Sequence, residues 1–129
     1  MKRLAWFPVI ILMACGGKQQ DYRKAEDALD AGREYINASL QGDFSKAAFY
    51  VVPDEKNKQA LKDIEKQYRE KDKEGRQQLR TASIDISEVK DITDSITTIH
   101  YNNSFDKVPH VLFVVKQNNT WLADISKTQ

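Results

Sequence analysis

One cysteine, Cys15, in a chain of 129 residues excludes an internal disulfide and a zinc cluster built from thiolates. Only two histidines are present, His100 and His110, short of the three or four ligands that a zinc ion takes. Neither sign of charge dominates. Twenty Lys and Arg stand against nineteen Asp and Glu, a net charge of +1 that excludes the basic excess of a nucleic-acid binder. No HExxH, GxxxxGK or GxSxG pattern occurs, so neither a metal nor another cofactor is expected. No apolar run reaches the roughly 20 residues that a membrane-spanning helix needs. The chain is long enough for one domain and leaves little room for a second.

What is present begins at the amino terminus. Lys2 and Arg3 precede Leu4–Met13, an uncharged apolar run that has the form of a signal-peptide core. Leu12-Met13-Ala14-Cys15 resembles the lipobox of bacterial lipoproteins: aliphatic at −3, small at −1 and cysteine at +1. That resemblance implies a diacylglycerol on the Cys15 thiol, cleavage between Ala14 and Cys15, and acyl chains that hold the product on a bilayer. Each buried methylene contributes about 0.8 kcal/mol to such an anchor. Residues 1–14 are then the signal peptide, and 15–21 are the lipidated cysteine and a polar, glycine-containing tether. Losing Lys2 and Arg3 from the twenty basic residues leaves eighteen against nineteen acidic ones, a mature charge of −1. Position +2 is Gly16 rather than the Asp linked to inner-membrane retention. The expected location is therefore the cell envelope, at the periplasmic side of the outer membrane.

Residues 22–129 read as a single α+β domain. Ala25, Ala28, Leu29, Gly32, Ile36, Ser39 and Leu40 recur at helical spacing and predict a helix from Tyr22 to Leu40. Gly42 suits its end, and Asp43 caps a short second helix, Phe44 to Val51, with Ala47, Ala48 and Val51 inward. After Pro53, a third helix is predicted from Asp54 to about Arg76, with Ala60, Leu61, Ile64 and Tyr68 inward. Glu65 and Arg69, and Asp72 and Arg76, stand at the i,i+4 spacing of ion pairs.

Beyond Leu79 the period changes to two, and β-branched residues become frequent. Ile84, Ile86, Val89 and Ile92 read as one strand or, since Val89 breaks the alternation, a bulged one, and Asp94-Ser95 reads as a turn. Three more strands follow: Ile96–Asn103, His110–Lys116 and Thr120–Ile125. With Gln117, Asn118 and Asn119 as the last loop, Val115 faces Trp121, Phe113 faces Ala123 and Val111 faces Ile125. All six then share the buried side. Leu112, Val114 and Leu122 make the opposite side apolar too, so a second copy of the chain or an envelope protein is expected to cover it.

Three helices followed by about four antiparallel strands, the last carrying Trp121, resembles the order of the nuclear-transport-factor-like, ketosteroid-isomerase-like and cystatin-like cone domains. The Gly42-Asp43-Phe44 turn and the Asn119-Thr120-Trp121 strand start carry the likeness, which extends over Tyr22 to Lys127. More narrowly, the chain is similar to small bacterial lipoproteins that bear such a domain behind a lipobox. The resemblance implies a curved sheet wrapped round the helices, with a mouth or interface at Tyr35, Phe49, Tyr101, Leu112, Val114 and Leu122.

Catalytic relatives of that family use a carboxylate base and an oxyanion-stabilising group inside the cone. Tyr35, Tyr50, Tyr101 and Asp124 are of suitable types, but none matches the family's catalytic positions. The expected function is therefore a membrane-tethered, non-catalytic binding or assembly module for a small ligand or a protein partner. An isomerase- or dehydratase-like enzyme with an ionisable group inside the cone is the alternative. Asp94-Ser95-Ile96 also resembles a short bacterial O-glycosylation acceptor centred on Ser95.

Overall fold

Each helix starts where an aspartate side chain takes up a free backbone N–H of the first turn. The computed structural model describes residues 22–127, so the signal peptide, Ala14, Cys15 and the tether lie outside the described residues. Asp27 accepts from the Asp30 N–H and opens α1, Ala28–Leu40. This helix is shorter than predicted because residues 22–26 precede the cap. They still pack, since the Tyr50 hydroxyl donates to the Arg23 carbonyl at 2.5 Å and Ala25 is buried. Asp43 caps α2, Phe44–Phe49, and Asp54 caps α3, Glu55–Glu70. In α2, Ala47 is buried as predicted, but Ala48 is exposed.

The predicted third helix is two helices. Asp72 accepts from the Gly75 N–H at 2.7 Å and starts α4, Lys73–Arg80, while Lys71 turns extended at ψ 148°. Capping at Asp72 competes with continuing the helix and wins, so the described residues form four helices rather than three. The Glu65–Arg69 ion pair forms. The Asp72–Arg76 pair does not: the Arg76 guanidinium instead donates to the Lys71 carbonyl at the break, at 2.8 Å.

Four antiparallel strands follow in the order β1-β2-β3-β4: β1 (Ile84–Thr93), β2 (Ile96–Asn103), β3 (His110–Gln117) and β4 (Thr120–Asp124). The bulges lie between Ile86 and Glu88 and between Asp91 and Thr93, on either side of Val89. The last hairpin corrects the predicted register. Val114 pairs with Ala123, Val115 with Leu122, and Phe113 with Asp124, round the two-residue turn Asn118-Asn119. Both asparagines have positive φ, 50° and 59°, a conformation they tolerate and one that matches the twist of a two-residue hairpin.

That slip turns β3 over. Leu112 and Val114, at 1% and 0% exposure, lie in the core against α1, while Val111, Phe113 and Val115 face outward. Trp121, Ala123 and Ile125 remain on the helix side. Two contacts explain the choice. A Cβ on Gly32 would lie 3.5 Å from Leu112 and 3.6 Å from Val114, so α1 sits close over these side chains. Asp124, which would be costly opposite Phe113 if unpaired, is hydrogen-bonded to Asn57 at 3.2 Å and to Ser126 at 2.6 Å.

Candidate functional site

The helix side of the sheet brings two of the anticipated tyrosines together. Tyr35 comes from α1 and is buried; Tyr101, half-buried, comes from β2. Burial pushes both phenols above their ordinary pKa, and the neighbouring Tyr35 and Asp106 push Tyr101 further. Both therefore stay protonated at neutral pH and can donate a hydrogen bond, but they do not serve as bases. Tyr101 stacks on His110, with ring centroids 5.0 Å apart and planes 19° from parallel. His110 in turn meets Asp106 at 2.8 Å.

The other candidates do not join this cluster. His100 pairs across the ladder with Val111 and faces outward, whereas His110 pairs with Tyr101 on the helix side. The two histidines therefore share no site. Asp124 is absorbed by Asn57 and Ser126 at the end of β4. Phe49 lies outside the core at 44% exposure and meets Tyr22 at a tilt and Tyr50 edge to face rather than lining an interior. Among the described residues, no group of three or more His, Cys, Asp and Glu could hold a metal ion. Ser95 lies in the exposed β1–β2 turn.

Of the recesses among the described residues, two lie between the helices and the sheet. One, of about 220 Å³, lies between Leu40, Ile64, Tyr68, Leu79 and Phe105, with Lys71 and Asp106 also in its wall. The other is a polar groove of about 570 Å³ between Arg33 and Asn37 of α1 and residues 82–86 leading into β1. Both are open to solvent, the first walled mainly by half-buried apolar side chains and the second mainly polar.

The outward face of the sheet is different in kind. Ladder pairing places Ile96 beside Val115, Thr98 beside Phe113 and His100 beside Val111, with Leu122 beside Val115 on the far strand. Ile96, Val111, Phe113, Val115 and Leu122 are half-buried, and none belongs to the core that the helices cover. Of the anticipated interface residues, only Leu122 lies here; Leu112 and Val114 are core. Val111, Phe113 and Val115, which sequence reasoning turned inward, were the residues missed. The available signal was the Asn118-Asn119 pair, which favours a two-residue turn and so fixes the opposite parity.

The two sheet edges also differ. Tyr50–Val52 run beside β4: the Ala123 N–H donates to the Tyr50 carbonyl at 2.7 Å, and the Val52 N–H donates to the Ala123 carbonyl at 3.0 Å. Along β1 no strand of the described chain pairs on the outer edge. No protein-family model, curated protein or solved structure matches this chain.

Proposed function

We propose that the mature protein is a non-catalytic docking module, held by lipid on Cys15 at the periplasmic side of the outer membrane. Its partner would be an envelope protein that presents a complementary apolar surface. The helices-then-sheet order is in keeping with a nuclear-transport-factor-like cone, in which a face of the sheet is free to serve as a platform. The observation that carries the docking role is the outward apolar stripe of Ile96, Val111, Phe113, Val115 and Leu122. Contiguous apolar surface of this kind on a folded domain marks interaction sites. Covering it would contribute about 25 cal/mol per Å² before the costs of association. The lipobox-like Leu12-Met13-Ala14-Cys15 supports the tether. The ionisable groups support binding over catalysis, because the inner phenols are held protonated and Asp124 is tied into the fold.

The test uses the full-length protein in its own membrane, with labelled fatty acid and gentle isolation under detergent. The unaltered chain takes up label and brings down its companion. Cys15→Ser takes up no label, and Phe113→Lys keeps the label but loses the companion. Normal labelling of Cys15→Ser would overturn the tether, and undiminished co-isolation with Phe113→Lys would overturn the docking face.

A further inference from the structure

The uncovered edge strand carries an unusual set of side chains. Val89 and Ile92 are 44% and 50% exposed, among the large apolar residues most open to water. Between the two bulges, Glu88 and Lys90 flank Val89, and neither makes an ion pair within the described chain. Charged residues on an edge strand usually repel a further strand. Here the pattern repels most arrangements and admits one.

We propose that β1 is the seam of a homodimer, in which two copies add edge to edge and antiparallel, with Val89 opposite Val89, to make one eight-stranded sheet. In that register Glu88 of each copy lies opposite Lys90 of the other, so two cross-strand pairs of opposite charge form on the outward side. Val89 pairs with the buried Ile99 and lies on the helix side, so the two exposed Val89 side chains of the dimer cover each other there.

Neighbouring registers are disfavoured by the same side chains. The next two that keep both outward faces on one side set Glu88 opposite Glu88, or Lys90 opposite Lys90. A parallel, in-register pairing sets both like-charged pairs together. Repulsion in the alternatives is as much a part of specificity as attraction in the chosen one. The seam uses an edge rather than the outward face, so it goes beyond the docking role proposed above. It would join two apolar stripes into one broader platform, and it can fail without affecting that role.

The test is oxidative cross-linking of single-cysteine substitutions in the full-length protein in its own membrane. The unaltered chain, whose sole cysteine is Cys15, sets the background. Val89→Cys is expected to give a disulfide-linked dimer, and Lys66→Cys on α3 and Val115→Cys on the outward face are not. Glu88→Lys, added to Val89→Cys, sets like charges opposite and should cut the dimer yield about tenfold. Adding Lys90→Glu as well reverses both signs and should restore it, a rescue that a merely structural effect of the first change would not give. Absence of the Val89 disulfide, or a yield indifferent to Glu88→Lys, would overturn the seam. Dimers from Val115→Cys but not from Val89→Cys would also overturn it, and would assign self-association to the outward face instead.

Discussion

The side-chain carbonyl of Asn57 accepts the backbone N–H of Ile125 at 2.7 Å, joining α3 to the end of β4 across 68 residues of sequence. The same oxygen accepts the Ser126 N–H at 3.2 Å, while the Asn57 amide donates to Asp124 at 3.2 Å and to Asp54 at 2.9 Å. Asn57 is wholly buried, and Asp124 and Ile125 are buried with it, so these two lose their bonds without gaining free access to water, whereas Asp54 and Ser126 are exposed. Asn57→Ala should cost about 3 kcal/mol, roughly the sum of the desolvated groups left behind. Chemical denaturation of the folded protein measures it, and a cost below about 1 kcal/mol would mean that water replaces the amide.

The strand parity makes a sharp contrast between neighbours. Val114→Lys places a charge in the core at a position with no exposure, and should prevent folding. Phe113→Lys, one residue earlier and on the outward side, should leave the fold intact at a cost of about 1 kcal/mol or less. Circular dichroism of the two variants decides the register. Loss of structure in the second with retention in the first would restore the three-residue loop.

Gly32 tests how close α1 lies to the sheet. A Cβ there would lie 2.3 Å from the Cδ1 of Ile99, itself wholly buried. Gly32→Ala gains up to about 1 kcal/mol of helix propensity. It also overpacks a filled core, at a cost of about 1–3 kcal/mol, so the net change should be destabilising. Ile99→Val removes the obstructing methyl, and Gly32→Ala should therefore be neutral or stabilising in that background. Equal effects of Gly32→Ala in the two backgrounds, measured as a double-mutant cycle, would contradict the contact.

Acid sensitivity follows from Asp30. Its hydrogen bonds with the Arg23 guanidinium, joined by the Glu26 N–H, hold the carboxyl down at about 2, against the upward push of burial. A carboxyl with a depressed folded pKa adds stability at pH values above its unfolded pKa, about 3.9. That contribution declines as the pH falls through the folded value near 2. Arg23→Gln should consequently be less stable than the unaltered protein at pH 5 and converge on it towards pH 2. Denaturation free energies at several pH values provide the comparison, and a difference independent of pH would remove Asp30 as its source.

Much of the fold was legible in particular residues. Asp43 and Asp54 stand where capping chemistry places helix starts, and the change to period two after Leu79 located the sheet with its first turn at Asp94-Ser95. Where the reading failed, local signals competed. Asp27 and Asp72 are caps inside segments whose apolar spacing continues past them, so periodicity alone overran one boundary and merged α3 with α4. On β3 every residue from Val111 to Val115 is apolar, so alternation carries no information about which side is buried. Parity was then decided by the turn at Asn118-Asn119 and by Asn57, 67 residues away, satisfying Asp124. The outward stripe was misassigned for that reason, and the free edge of β1 is a property of strand order, which no single strand's sequence encodes.

The docking role is tested most directly by photo-cross-linking from the sheet in the full-length, membrane-bound protein. A benzophenone amino acid in place of Phe113 reports what lies within reach of the outward face, and the same group in place of Lys66 on α3 reports on a solvent-facing helix. The account predicts a discrete protein adduct from Phe113 that is lost when Val115→Lys is introduced beside it, and none from Lys66. No adduct from Phe113, or adducts of the same mass and yield from both positions, would contradict it.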